Sequence, residues 1–399
     1  MRSLAVFHLG GVGGPHRSLV QALSWLHDRG TLEIIVPEEG PTAREYAPLG
    51  AVTVADYSAL TYARGLRGGL GMTRELARDV RMFRRELRQR RPDVVVAVTT
   101  VLPAVLIAAR LERVPSVVYA AEVYGQDWKR APLLRVWGAG LAGMTAALAG
   151  ALVCCSQTVA DQFPRRRGRS LTIAYPPIGA EYADGDRARG RGRYGVEEAD
   201  PCLLVVGSLS RGRGQDVAIE ALARLRPRFP GARLLVLGAP HPRQVDLAFA
   251  EELERLTGEL GVADAVVFAG VADEMADAYA AADVVLNPAR FAEPFGRVAP
   301  EALAAGRPVV ASRVGALPEV IRDEVEGLLV PPDDADALAK AVARLVDDRA
   351  FAESLVESGR RMVRERFGYE QDLAAWTEAF ESVVPGQKAP RPLKTAANV

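Results

Sequence analysis

Short apolar runs recur along this chain, each followed by a turn and then by a stretch of helical periodicity. The run at residues 3–9 leads into Gly10-Gly-Val-Gly-Gly14, after which Leu19, Ala22, Leu23 and Leu26 share one face of a helix that ends at Gly30. Residues 34–36, 94–98, 116–119 and 152–155 are apolar at successive rather than alternate positions, the pattern of strands buried on both faces of a parallel sheet. Residues 176–195, rich in Pro, Gly and Arg, break the rhythm. It restarts with runs at 202–206, 234–237, 265–268, 284–286, 308–311 and 328–330, separated by helical stretches. Such alternation predicts an α/β protein of two doubly wound, Rossmann-like domains facing each other across a cleft, with ligands at the carboxyl ends of the strands. The expected boundaries are an N-terminal domain over 1–183, a linker or exposed insertion over 184–195, and a C-terminal domain over 196–368. A helix over 369–384 is expected to pack back on the first domain, and 385–399 to form a frayed tail.

A length of 399 residues agrees with two domains, being too long for one ordinary core. With 49% apolar and 25% charged residues the chain is a folded protein rather than a disordered one. The net charge of zero hides an asymmetry. Residues 1–190 carry 25 Lys and Arg against 17 Asp and Glu, and the remainder 25 against 33, so the halves stand at +8 and −8. Three cysteines, Cys154 and Cys155 adjacent and Cys202 alone, fit neither a metal-ligand spacing nor a disulfide framework, which suits a reducing cytoplasm. The first residues lead directly into the glycine turn and read as a strand, not a signal peptide. Residues 136–155 carry no charge, yet their Ala and Gly content favours a buried helix followed by a strand over a membrane span.

The most informative chemistry lies in Glu293-Pro-Phe-Gly-Arg-Val-Ala-Pro-Glu301, between the apolar run at 284–286 and a helix that stops at Gly306. Pro300, without a backbone N–H, belongs in a first helical turn, so the helix is expected to begin near 296–300 with unpaired early amides. Carboxylates on either side of such an anion seat suit a nucleotide sugar: one accepts hydroxyls of the sugar, the other of a ribose, while the amides face the diphosphate. Two solvated acids at a helix start fit the spacing equally well. Gly207-Ser-Leu-Ser-Arg-Gly-Arg-Gly214 supplies Arg211 and Arg213 among glycines just before another helix, where fixed positive charge meets a diphosphate. An exposed turn with solvated arginines is the plainer reading; a shared position on the carboxyl-end rim favours phosphate. Gly13 and Gly14 allow close approach of a phosphate or sugar, but a dinucleotide fingerprint needs glycine where the chain has His16. Asp184-Gly-Asp186 imitates a metal-binding pair, yet its polar setting reads as solvated, and no metal is expected.

Together these segments resemble glycosyltransferase family 4, most strongly over 204–347. The resemblance implies the GT-B fold and a retaining enzyme that moves a sugar from a nucleotide diphosphate sugar to a hydroxyl acceptor, with no cofactor beyond that co-substrate. It implies Glu293 at the donor sugar, Glu301 at the ribose, and Phe295, Gly296 and Arg297 at the phosphates. Gly315-Ala-Leu-Pro-Glu319 looks like the family's G-x-x-P-E turn. Where the family usually has arginine and lysine at the phosphates, this chain has Ser208 and Arg213, so Arg211 is expected to join Arg213 on the diphosphate as the catalytic cations. The family often carries histidine near 119–125; here Glu122 serves as an acceptor-side carboxylate or is an ordinary strand end, and His16 is a pocket or a surface residue. A sugar-nucleotide epimerase or phosphorylase of similar architecture, or a noncatalytic sugar-nucleotide binder, is the alternative.

Residues 74–91 form a basic amphipathic pattern, Arg78, Arg81, Arg84, Arg85, Arg88, Arg90 and Arg91 against Leu76, Val80, Phe83 and Leu87. Such a helix either lies on an anionic membrane at the inner face or packs its apolar stripe on the first sheet. The need to cover that sheet favours packing. Neither aromatic platform nor reading helix accompanies the arginines, which argues against nucleic acid. The acceptor remains open among a lipid-linked glycan, a polysaccharide and a small natural product.

Overall fold

In the computed structural model, which describes residues 1–9, 18–59, 69–124, 132–165 and 169–384, the apolar runs assemble into two parallel sheets. The first contains β1 (Arg2–Val6), β2 (Thr31–Val36), β3 (Ala51–Val54), β4 (Val94–Val98), β5 (Ser116–Ala120), β6 (Ala151–Cys154) and β7 (Ser170–Ile173), in the order β3-β2-β1-β4-β5-β6-β7. The second contains β8 (Cys202–Val206), β9 (Arg233–Leu237), β10 (Val266–Gly270), β11 (Val284–Asn287), β12 (Val309–Ser312) and β13 (Leu328–Val330), in the order β10-β9-β8-β11-β12-β13. Helices cover both faces, which is why β4 and β5 are buried at every position. In each sheet the strand order reverses beside the first strand, between β1 and β4 and between β8 and β11. Ala5 pairs with Val96 at the first reversal and Leu204 with Val285 at the second. Crevices at the carboxyl ends of such reversals are where open α/β sheets take ligands.

The chain divides into residues 1–177 with 369–399, and residues 178–368. The second unit has its own core, in which Leu203, Val205, Leu234 and Leu286 of the strands meet Ile219, Leu222, Phe249 and Leu253 of the helices. In the first unit the returning helix Tyr369–Val383 lies on β5, β6 and β7 and on the helix Val20–His27. Among the described residues no helix is long and apolar enough to cross a membrane; the charge-free stretch forms the end of the helix Pro132–Leu148 and then β6.

The linker expected over 184–195 is not one, and the boundary falls at 177/178 rather than 183/184. Residues Ala180–Asp184 form a 3-10 turn against the helices Met275–Ala281 and Val298–Ala304. The helix Arg187–Tyr194 follows, and the side chain of Asp186 caps it by accepting from Arg189 N at 2.8 Å. Asp186 is thus a helix cap. This helix carries no apolar stripe because charge and close approach hold it instead. Arg191 is buried, donating from Nη2 to Asp283 at 2.7 Å and from Nε to the Ala281 carbonyl at 3.1 Å. Gly190 lies against the helix Met275–Ala281 so closely that a Cβ there would sit 2.3 Å from the Asp277 carbonyl oxygen.

Candidate functional site

The loops that follow β8 and β11 flank the reversal of the second sheet, and they carry Arg213 and Glu293. They are joined along their length: Arg290 N donates to the Gly212 carbonyl at 2.8 Å, and its Nη1 reaches the Arg211 carbonyl at 3.1 Å and Asp216 Oδ1 at 2.6 Å. Gln215 Nε2 donates to the Ser208 carbonyl at 3.0 Å, so Ser208 contributes backbone to the bracing of its loop. A third loop, after β12, supports Glu293 from behind. Gly315 has φ 55°, and a Cβ there would lie 2.4 Å from the backbone N and O of Glu293; Ala316 N donates to the Glu293 carbonyl at 2.9 Å. Only glycine combines that backbone angle with that approach.

Glu293 is 4% exposed, and its carboxylate forms an ion pair with Arg213. Burial pushes the carboxyl above the usual carboxylate range, and Arg213 pulls it back in part. The Arg213 guanidinium also lies 4.9 Å from the centre of the Phe291 ring. A carboxylate and a guanidinium held side by side at a sheet reversal can accept hydroxyl protons and neutralise a phosphate within one small volume.

Eight residues on, the helix Val298–Ala304 places Glu301 in a second buried cluster. Arg297 Nε donates to its Oε1 at 2.9 Å, and Tyr279 OH to its Oε2 at 2.8 Å. Tyr182 packs edge-on against Tyr279, centroids 5.7 Å apart. Tyr279 was not legible as a site residue: it lies 22 positions before Glu301 in an apolar run, where a tyrosine reads as core. Arg290 and Asp216 were missed because each finds its partner in the other segment, and Gln215 because its partner is a backbone carbonyl.

Phe295 is buried and meets Phe367 edge-on with centroids 5.2 Å apart, so its ring belongs to the core, and Gly296 turns the chain beside Leu317. One expectation changes. Arg211 is not brought to Glu293. It pairs with Glu252 of the helix Gln244–Glu259 and lies 5.2 Å from the Phe249 ring centre, because the turn Arg211–Arg213 sends the two side chains to different carboxylates.

In the first unit Glu122 follows β5 at its carboxyl end. Its Oε2 accepts from Ala121 N at 3.1 Å and from Thr100 Oγ1 at 3.3 Å, whereas the buried Oε1 has no hydrogen-bond partner among the described residues. Burial pushes this carboxyl up as well. Gly13, Gly14 and His16 lie outside the described residues. Among the described residues no three His, Cys, Asp or Glu side chains are grouped to hold a metal ion.

The two parallel sheets, each with its reversal beside the first strand, define a protein of the GT-B fold. Residues 12–181 match the family described as Glycosyltransferase Family 4, and residues 200–348 the one described as Glycosyl transferases group 1. The chain belongs to glycosyltransferase family 4. A D-inositol 3-phosphate glycosyltransferase of Acidothermus cellulolyticus is 40% identical over 191 residues, 45% of this chain and 42% of that protein. One from Streptomyces bingchenggensis is 32% identical over 247 residues, 59% of this chain and 54% of that protein. The chain thus spans about half the length of the curated relatives it matches. Among solved structures, Anabaena HepE in complex with UDP has a TM-score of 0.79 at 20% identity, covering 96% of this chain and 100% of that one. Sucrose-phosphate synthase of Thermosynechococcus elongatus has 0.77 at 23%, covering 96% and 98%. At such identities the likeness is one of fold.

Proposed function

We propose that this protein is a retaining, metal-independent glycosyltransferase that moves a sugar from a nucleotide diphosphate sugar to a hydroxyl acceptor. The observation that carries the reading is the ion pair of the buried Glu293 with the half-buried Arg213 at the reversal of the second sheet. Glu293 accepts hydroxyls of the donor sugar, Glu301 accepts the ribose hydroxyls, and Arg213 turns its remaining N–H groups to the diphosphate. The bond from the anomeric carbon to the phosphate oxygen breaks through a loose, oxocarbenium-like transition state. The acceptor oxygen bonds to that carbon on the face being vacated, and its proton passes to the departing phosphate oxygen, which retains the configuration. Glu122 is the carboxylate that the first unit offers on the acceptor side. HepE, solved with UDP and with UDP-glucose, makes uridine diphosphate sugars the first donors to try.

Thermal shift with UDP-, GDP-, ADP- and TDP-sugars tests the donor. A ligand at 100-fold over its Kd adds about 2.7 kcal/mol to the state that binds it. With the stabilising donor, Glu293→Ala is expected to lose most nucleotide release in the presence of acceptor; full turnover removes Glu293 from the donor site. Donor conversion that needs no acceptor points instead to an epimerase or phosphorylase, and binding without nucleotide release to a noncatalytic binder.

A second partner is favoured by one surface. In the helix Gly69–Arg90, Phe83 and Leu87 are buried, while Arg81 and Arg85 are exposed beside Arg84 and Arg88, which pair with Glu112. Arg81, Arg84, Arg85, Arg88 and Gln89 line a shallow furrow. With the apolar stripe already used, contact with an anionic bilayer is electrostatic and does not insert. Co-sedimentation with phosphatidylglycerol vesicles is expected at low salt and lost near about 1 M, where the screening length is about 3 Å. Absence of binding at low salt removes the membrane.

A further inference from the structure

The geometry points to Tyr279 as a positioning residue: its hydroxyl, opposite Arg297, fixes the Glu301 carboxylate to receive a vicinal ribose diol and so sets a preference for ribonucleotides over 2′-deoxyribonucleotides. This rests on the reading of Glu301 as the ribose acceptor given above.

A glutamate carboxyl rotates freely about its last torsion unless something holds it, since that torsion has broad minima. Tyr279 OH donates to Oε2 at 2.8 Å and Arg297 Nε to Oε1 at 2.9 Å, and the Tyr182 hydroxyl also faces this carboxylate and Arg297. The carboxylate plane is thereby set from both of its oxygens. A carboxylate has about four lone-pair sites, so acceptor capacity remains for hydroxyls of the ligand. Two adjacent acceptors in a fixed plane match the 2′ and 3′ hydroxyls of a ribose. A 2′-deoxyribose leaves one acceptor of a buried charge without its partner, the kind of loss that separates substrates most strongly.

Tyr279 itself is fully buried, and burial together with Glu301 raises its hydroxyl well above the ordinary tyrosine range, so it keeps its proton and acts as a donor. Its own position is set from two sides. Tyr182 packs edge-on against its ring, and Asp277, on the same helix Met275–Ala281, accepts from Asp186 N at 2.9 Å and from Arg189 Nη2 at 2.7 Å. A phenylalanine fills the same space, and only the hydroxyl on Glu301 requires tyrosine.

The test needs neither sugar nor acceptor. Dissociation constants of UDP, GDP, ADP and CDP and of their 2′-deoxy counterparts are measured by calorimetry on the full chain, for the wild type, Tyr279→Phe and Glu301→Gln. For the base that binds, the wild type is expected to prefer the ribo form at least about tenfold, the size of one hydrogen bond to a charged group. Tyr279→Phe is expected to weaken the ribo form about tenfold and leave the deoxy form nearly unchanged, with the unfolding temperature lowered by the lost hydrogen bond and the native circular dichroism kept. Equal weakening of both forms assigns Tyr279 a packing role and overturns the inference, as does an unchanged ribo-to-deoxy ratio. A wild type without the preference, or a Glu301→Gln variant that keeps it, overturns the ribose reading of Glu301 and this inference with it. Failure of every nucleotide to bind does the same for the donor site as a whole.

Discussion

Arg211 and Arg213 are two residues apart, yet the structure gives them unequal work. Arg213 is the ion-pair partner of a carboxylate that is 4% exposed; Arg211, with a side chain 60% exposed, pairs with Glu252. Removing the partner of a buried charge is costly, whereas an exposed pair contributes about 0–1 kcal/mol. A positioned electrostatic donor at a developing negative charge adds about 3 kcal/mol to the transition state. Arg213→Ala is therefore expected to lower kcat/KM about 100-fold, and Arg211→Ala by no more than about fivefold. Steady-state kinetics of the two variants with the donor found by thermal shift decide the point, and equal losses would restore the pair of arginines to joint work on the diphosphate. Glu293 and Glu301 were legible because both lie in one nine-residue stretch with two prolines and a glycine between them. Arg213 was legible too, from its glycine loop, but its pairing with Glu293 was not, and neither were Tyr279 and the bracing Arg290–Asp216 pair: these partners come from separate elements, and a sequence does not display contacts made across 22 to 80 positions.

At the scale of elements, the inner strands and both edge strands of the second sheet declare themselves, and the two edge strands of the first sheet do not. β4, β5 and β8 are continuous apolar runs because helices cover both of their faces. β3 and β7, at the two edges of the first sheet, pair on one side only and are in part exposed, so their mixed sequences Ala-Val-Thr-Val and Ser-Leu-Thr-Ile gave no signal. The helix Arg187–Tyr194 escaped for another reason. Periodicity detects a helix held by an apolar face, and this one is held by an Asp186 cap, a buried Arg191 and a glycine that lets two helices touch. The short turn at Gly315 was recognisable as a motif, whereas its task of backing Glu293 became visible only with the two loops side by side.

At the scale of the whole molecule, the chain leaves its first unit after Pro177, completes the second, and returns at Tyr369 to finish the first. The returning helix closes the first core with aromatic rings. Trp376 is fully buried, its centroid 5.5 Å from Tyr119 and 5.7 Å from Phe380, and Phe380 stacks on Trp25 at 5.0 Å. Truncating a buried tryptophan to alanine costs about 3–5 kcal/mol, or roughly 6–20 °C in the melting of a domain near 200 residues. The four tryptophans, Trp25, Trp128, Trp137 and Trp376, all belong to the first unit by sequence, so tryptophan fluorescence follows that unit alone. Circular dichroism follows both. In Trp376→Ala, with three tryptophans left as probes, the fluorescence transition is expected to fall by this amount. The dichroism trace is expected to split, its upper step staying where the second unit unfolds, because that unit's core closes within residues 178–368. A single transition that moves down identically by both probes would show that the second unit draws its stability from the first, and that its core is not self-sufficient.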